Sequence, residues 1–101
     1  MNHLKSRKEI LDILSSHLGR IQEEYGVARI GVFGSVARNE QCEASDIDIL
    51  VEFSRATGMV QFIRLENTLQ GLLGAKVDLV TQKALKKHMG QQILREVHYV
   101  S

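Results

Sequence analysis

Residues 30–53 read IGVFGSVARNEQCEASDIDILVEF, and the rest of the chain takes its place around them. The apolar run ending at Phe33 reads as a strand, Gly34-Ser35 as a turn, and Val36–Asn39 as one or two helical turns. Glu40–Ser45 is polar and reads as a loop. Asp46-Ile47-Asp48 then opens a second strand, Asp46–Phe53, in which Ile47, Ile49, Val51 and Phe53 alternate with Asp46, Asp48, Leu50 and Glu52. Side chains two apart on a strand share a face, roughly 6.6 Å apart at ~3.3 Å per residue. Two carboxylates that close repel unless a proton or a cation intervenes, and an oxygen-only donor pair suits a hard divalent cation such as Mg²⁺. Where a Gly-Ser turn opens a helix, free backbone N–H groups can receive phosphate oxygens. A phosphate cradle facing a metal-binding carboxylate pair is the arrangement that phosphoryl or nucleotidyl transfer needs.

Outward from this stretch, Ser6 and Glu9 form the pattern of a capping box, and Ile10, Leu11, Leu14, Leu18 and Ile21 follow at the spacing of a one-sided helix that Gly26 closes. Ala28–Phe33 is the first strand, and Gly31 within it permits another backbone to approach closely. Met59–Leu73 predicts a second long helix, with Phe62, Leu65, Leu69 and Leu72 on one stripe and Gly74 as its stop. Lys76–Thr81 (KVDLVT) predicts a third strand, with Val77 and Leu79 facing opposite to Asp78. Gln82–Tyr99 predicts a last helix on the strength of Leu85, Met89, Ile93 and Val97. Lys83, Lys86 and Lys87 near its start and Arg95 near its end read as a solvated face. The expected fold is therefore α/β, a small mixed sheet of about three core strands packed with about four helices, in one domain spanning residues 1–101.

Composition narrows the function. Apolar residues make up 44% and charged residues 25%, ordinary values for a globular chain. Thirteen basic against twelve acidic residues leave a net charge of +1, which argues against broad binding to nucleic-acid backbone. The one cysteine, Cys42, excludes an internal disulfide and fits a reducing compartment; it reads as a passive loop thiol. No apolar run is long enough to cross a bilayer, and MNHLKSRKEILDIL lacks a signal-peptide core, so the cytoplasm is the expected location. His3 and His17 have no partner at metal-ligand spacing.

Asp46, Asp48 and Asp78 each fall on a strand, and a two-metal displacement clamps the attacking and leaving oxygens between ions ~3.5–4 Å apart. The first two suit bridging both ions. Asp78 suits either holding the ion that acidifies an acceptor hydroxyl or taking the proton itself. Ser35 and the turn N–H groups suit the terminal phosphates, and Arg38, three residues on, lies within reach of them. Taken singly these features have plain structural readings: a surface D-x-D, a serine helix cap, an aspartate keeping an edge strand soluble. Their order along the chain is what makes a site.

Gly34-Ser35, ten residues, Asp46-Ile47-Asp48 matches the G-S-x10-D-x-D signature of the nucleotidyltransferase superfamily, the fold of the DNA polymerase β palm. With VDLV around Asp78 and the closing ILREVHYV, nearly the whole chain resembles the minimal nucleotidyltransferases of MntA antitoxin type. It departs from the common GSxARGE form at Asn39, where glycine is usual. The resemblance implies an antitoxin that transfers AMP from ATP, with Mg²⁺, to a tyrosine hydroxyl of a HEPN-domain ribonuclease toxin. Asp46 and Asp48 would bind both ions, Asp78 would complete one site and help deprotonate the tyrosine, and Gly34 and Ser35 would position the triphosphate. Two alternatives stand beside it: neutralisation by heteromeric docking with little catalysis, and a small-molecule nucleotidyltransferase that needs a separate substrate-binding subunit.

Overall fold

The computed structural model describes residues 5–38, 46–84 and 95–100. Asn39, the loop 40–45 with Cys42, His3, Lys86, Lys87, Leu85, Met89 and Ile93 lie outside the described residues.

Helix α1, Arg7–Tyr25, begins as its sequence signals require. Glu9 N donates to Ser6 Oγ at 3.1 Å and Ser6 N donates to Glu9 Oε1 at 3.2 Å, a reciprocal cap that satisfies two otherwise orphaned amides. Gly26 ends it at φ 66°, a left-handed turn that glycine adopts without a Cβ clash. Strand β1, Val27–Phe33, leads into the four-residue α2, Gly34–Ala37, and β2 runs Ile47–Phe53. Helix α3, Met59–Leu73, is closed by Gly74 in the same left-handed conformation, and β3 is Val77–Thr81.

The sheet order is β3-β2-β1-β4, where β4 is His98–Tyr99. Strands β1 and β2 pair antiparallel, with Val32 opposite Ile49 and Phe33 opposite Asp48. Strands β2 and β3 pair parallel, with Asp48 opposite Asp78, and α3 makes the crossover that a parallel pair demands.

The fourth strand corrects the sequence reading. His98 and Tyr99, assigned above to the end of a helix from Gln82, instead pair antiparallel with Val32 and Gly31. Of that helix, residues 82–84 and 95–96 are helical among those described. The reason lies in Gly31: a Cβ there would come within 2.8 Å of Val97 Cγ2 and 2.9 Å of the His98 carbonyl oxygen. The close backbone approach that Gly31 permits is made by this terminal segment. Arg29 reinforces it, with its guanidinium 4.3 Å from the centre of the Tyr99 ring while Nη2 donates to Glu52 Oε2 at 2.8 Å.

Alternation along the strands gives the sheet two different faces. Ile30, Val32, Ile47, Ile49, Val51, Val77 and Leu79 point toward α1 and α3 and form the main core with Ile10, Leu14, Ile21, Leu65, Leu69 and Leu73. The other face carries a smaller apolar cluster, Phe33 and Leu50 with Val80 and Val97 against them, and beside it the aspartates.

Candidate nucleotide and metal site

At the corner where β1 ends, the chain turns directly onto β2. Gly34 has φ 69°, and a Cβ built on it would run into Asp48 Oδ2, so the turn is seated against that carboxylate. The left-handed angle and the missing side chain both require glycine here. Val36 and Ala37, buried at 1% and 5% exposure, fasten the turn to the interior, and Arg38 N donates to the Gly34 carbonyl oxygen at 3.1 Å. Ser35 is half-buried.

Asp48 occupies the middle of a row, flanked by Phe33 on β1 and Asp78 on β3. Paired residues on neighbouring strands stand about 4.8 Å apart and point to the same face. Asp78 therefore stands beside Asp48 on the same face; it is exposed, whereas Asp48 and Asp46 are half-buried. Burial first, then the charge of Asp78, then that of Asp46, push the Asp48 carboxyl up to about 6, and Arg38 opposes the rise. Repulsion of this kind is relieved by a cation.

The donor set fits a hard divalent ion: carboxylate oxygens from three positions, two of them raising the cost of charge on the third. Among the described residues, no group of three His, Cys, Asp or Glu side chains stands as a ready-made cage for an ion. Mg²⁺ is in general held by one or two carboxylates together with substrate phosphates and water rather than by an all-protein shell.

Arg38 ends α2 and its Nη1 donates to Glu96 Oε2 at 3.0 Å, with the two side chains 47% and 28% exposed. Its charge reaches Asp48 as well. Lys83 and Arg95 are exposed. Two partners at this corner escaped the sequence reading: Glu96, and Arg7, whose Nη1 donates to the Ala37 carbonyl oxygen at 2.8 Å. They lie 58 and 30 residues from the groups they hold, and no spacing rule reports such pairs.

Comparison with known proteins gives concordant likenesses. The profile described as "Nucleotidyltransferase domain" matches residues 14–100. A protein adenylyltransferase MntA of Thermococcus cleftensis is 47% identical over 93 residues, covering 92% of this chain and 94% of that protein. A solved structure described as a minimal nucleotidyltransferase superposes with a TM-score of 0.79 at 34% identity, covering 96% of this chain and 98% of its own. A chain from a complex of tri-AMPylated Shewanella oneidensis HEPN toxin with an MNT antitoxin shares the fold, at TM-score 0.62 and 20% identity over 88% of this chain and 70% of its own. Among the described residues, no helix is long and apolar enough to cross a membrane.

Proposed function

Because this chain belongs to the nucleotidyltransferase domain family, we propose that it is an antitoxin acting as a protein adenylyltransferase, which moves AMP from ATP onto a tyrosine of a HEPN-family ribonuclease and so silences it. The observation that carries the reading is the contact between Gly34 and Asp48. It brings the backbone of the turn beside carboxylates whose mutual repulsion calls for cations, which supports the reading.

In this reading the Gly34-Ser35 amides and the Ser35 hydroxyl hold the triphosphate, and Arg38 adds positive charge on the same side. Asp46, Asp48 and Asp78 would hold Mg²⁺, which when bound neutralises phosphate charge and stabilises the leaving pyrophosphate. The acceptor tyrosine oxygen attacks the α-phosphorus while the bond from that phosphorus to the β-phosphate bridging oxygen breaks. Pyrophosphate leaves with that electron pair, and the tyrosine proton passes to Asp78, the exposed member of the row and so the one open to a protein substrate. Names of relatives support the acceptor class: one similar protein is a protein adenylyltransferase, and a structural neighbour comes from a complex with an AMP-modified toxin.

The test is incubation of the purified chain with ATP, Mg²⁺ and its partner ribonuclease. Intact-mass spectrometry should show added AMP, and the Asp46→Asn, Asp48→Asn double variant should lower the rate at least ~100-fold, as loss of electrostatic stabilisation does elsewhere. A double variant that modifies the partner at the normal rate rules the assignment out. A second reading, neutralisation by docking alone, has one observation in its favour: Met59, Val60 and Ile63 at the start of α3 are 71%, 68% and 47% exposed. Under that reading the double variant still protects cells from the toxin.

A further inference from the structure

We propose that Arg7, in the first turn of α1, is a positioning residue for the nucleotide turn: it holds the far end of Gly34–Ala37 so that Gly34 stays seated against Asp48. This inference rests on the nucleotide-binding reading of that turn. It concerns a residue that lies before the 14–100 segment matched to the family profile.

Four residues of helix cannot hold themselves, because nucleation costs more than one or two hydrogen bonds return. The N-terminal end of α2 has no side-chain cap: Phe33 stands at that position. The turn is thus fixed by what it touches. Val36 and Ala37 are buried on one side, Asp48 bears on Gly34, and at the exit Arg7 Nη1 donates to the Ala37 carbonyl oxygen at 2.8 Å. That bond is charge-assisted and sits where the end of a helix presents partial negative charge, which strengthens it over a neutral pair. Its base is also fixed. Arg7 follows Ser6 directly, and the reciprocal Ser6–Glu9 cap sets the direction in which the first turn of α1 projects. The next residue after the held carbonyl is Arg38, whose Nη1 donates to Glu96 Oε2 at 3.0 Å. One guanidinium therefore braces the exit of the turn from 30 residues away.

The same contact could serve folding alone, and the experiment separates the two roles. Arg7→Met keeps the aliphatic stem and removes the donor; Arg7→Lys keeps charge and one donor without the planar fork. Tyr25→Phe removes the 2.7 Å hydrogen bond between the Tyr25 and Thr68 hydroxyls, which joins α1 to α3 away from the turn, and serves as the control. Each variant is checked for folding by circular dichroism and thermal melting, and ATP binding in Mg²⁺ is then measured by calorimetry. We expect Arg7→Met to bind ATP about tenfold more weakly and Arg7→Lys to recover most of the loss. Tyr25→Phe should lower the melting midpoint with ATP affinity unchanged. In partner modification, the KM for ATP should rise with kcat within threefold, the signature of lost ground-state holding. A folded Arg7→Met that binds ATP within twofold of wild type overturns the proposal. A wild-type chain that binds no ATP overturns the parent reading, and this one with it.

Discussion

Asp48 carries a conflict that a single substitution exposes. Its carboxyl is pushed up to about 6 by burial, Asp78 and Asp46, so its charged form is less favourable in the folded chain than in the unfolded one. A raised carboxyl adds stability below its ordinary value of 3.8, and that contribution is lost as pH rises through about 6. At pH 8 without divalent metal, Asp48→Asn should therefore be more stable than wild type, by roughly 1–2 kcal/mol once water screening is allowed for. The advantage should fade between pH 6 and 4, and thermal melts across that range in chelator check it. A variant no more stable than wild type at pH 8 would mean that neither burial nor the neighbouring carboxylates disfavour the charged form. At this scale the sequence was informative about Gly34, Asp46, Asp48 and Asp78, because a turn glycine and strand periodicity are local. It was silent on Arg7 and Glu96, whose partners Ala37 and Arg38 are brought to them by folding.

Elements show the same division. Helices α1 and α3 were legible to within a residue or so, since caps and stripes are written along the chain. Packing also buries Leu73 fully beside the partly buried Leu72, an addition that a stripe drawn from spacing does not resolve. Strand β4 was not legible. Two residues have no periodicity, and both His98 and Tyr99 are exposed, so no apolar signal marks them. What makes them a strand is Gly31 across the gap. Gly31→Val should push Val97 and the His98 carbonyl away and destabilise the chain by about 1–3 kcal/mol, the usual cost of overpacking. Hydrogen exchange offers a sharper readout. Val100 N donates to the Ile30 carbonyl oxygen at 2.8 Å, and its protection should fall in this variant much more than that of β2 amides. Equal loss across the sheet would indicate a global effect instead.

Across the whole molecule, the sheet separates what holds the chain together from what it works with. One face is sealed by α1 and α3 over the main core, into which the turn sends Val36; the other bears the aspartate row and the small Phe33–Leu50 cluster. Damage on one side should leave the other intact. Leu69 is fully buried on the sealed side, and Leu69→Ala should cost about 2–5 kcal/mol of unfolding free energy. At a temperature where the variant remains folded, its ATP affinity should stay within twofold of wild type. Denaturant titration and calorimetry give the two numbers, and a parallel loss in both would show that core and site are coupled.

Local signals along the chain were enough for helices α1 and α3, strands β1 to β3, the apolar face of β2, the turn at Gly34 and the available carboxylates. These follow from side-chain periodicity and from the backbone freedom of glycine, properties that need no distant partner. Only the tertiary structure decided that β3 lies beside β2 with Asp78 in register with Asp48, that residues 98–99 close the far side of β1, and that Arg7 and Glu96 reach the turn from either end of the chain. Those outcomes depend on contacts between groups tens of residues apart, whose free energy appears only once the sheet has assembled.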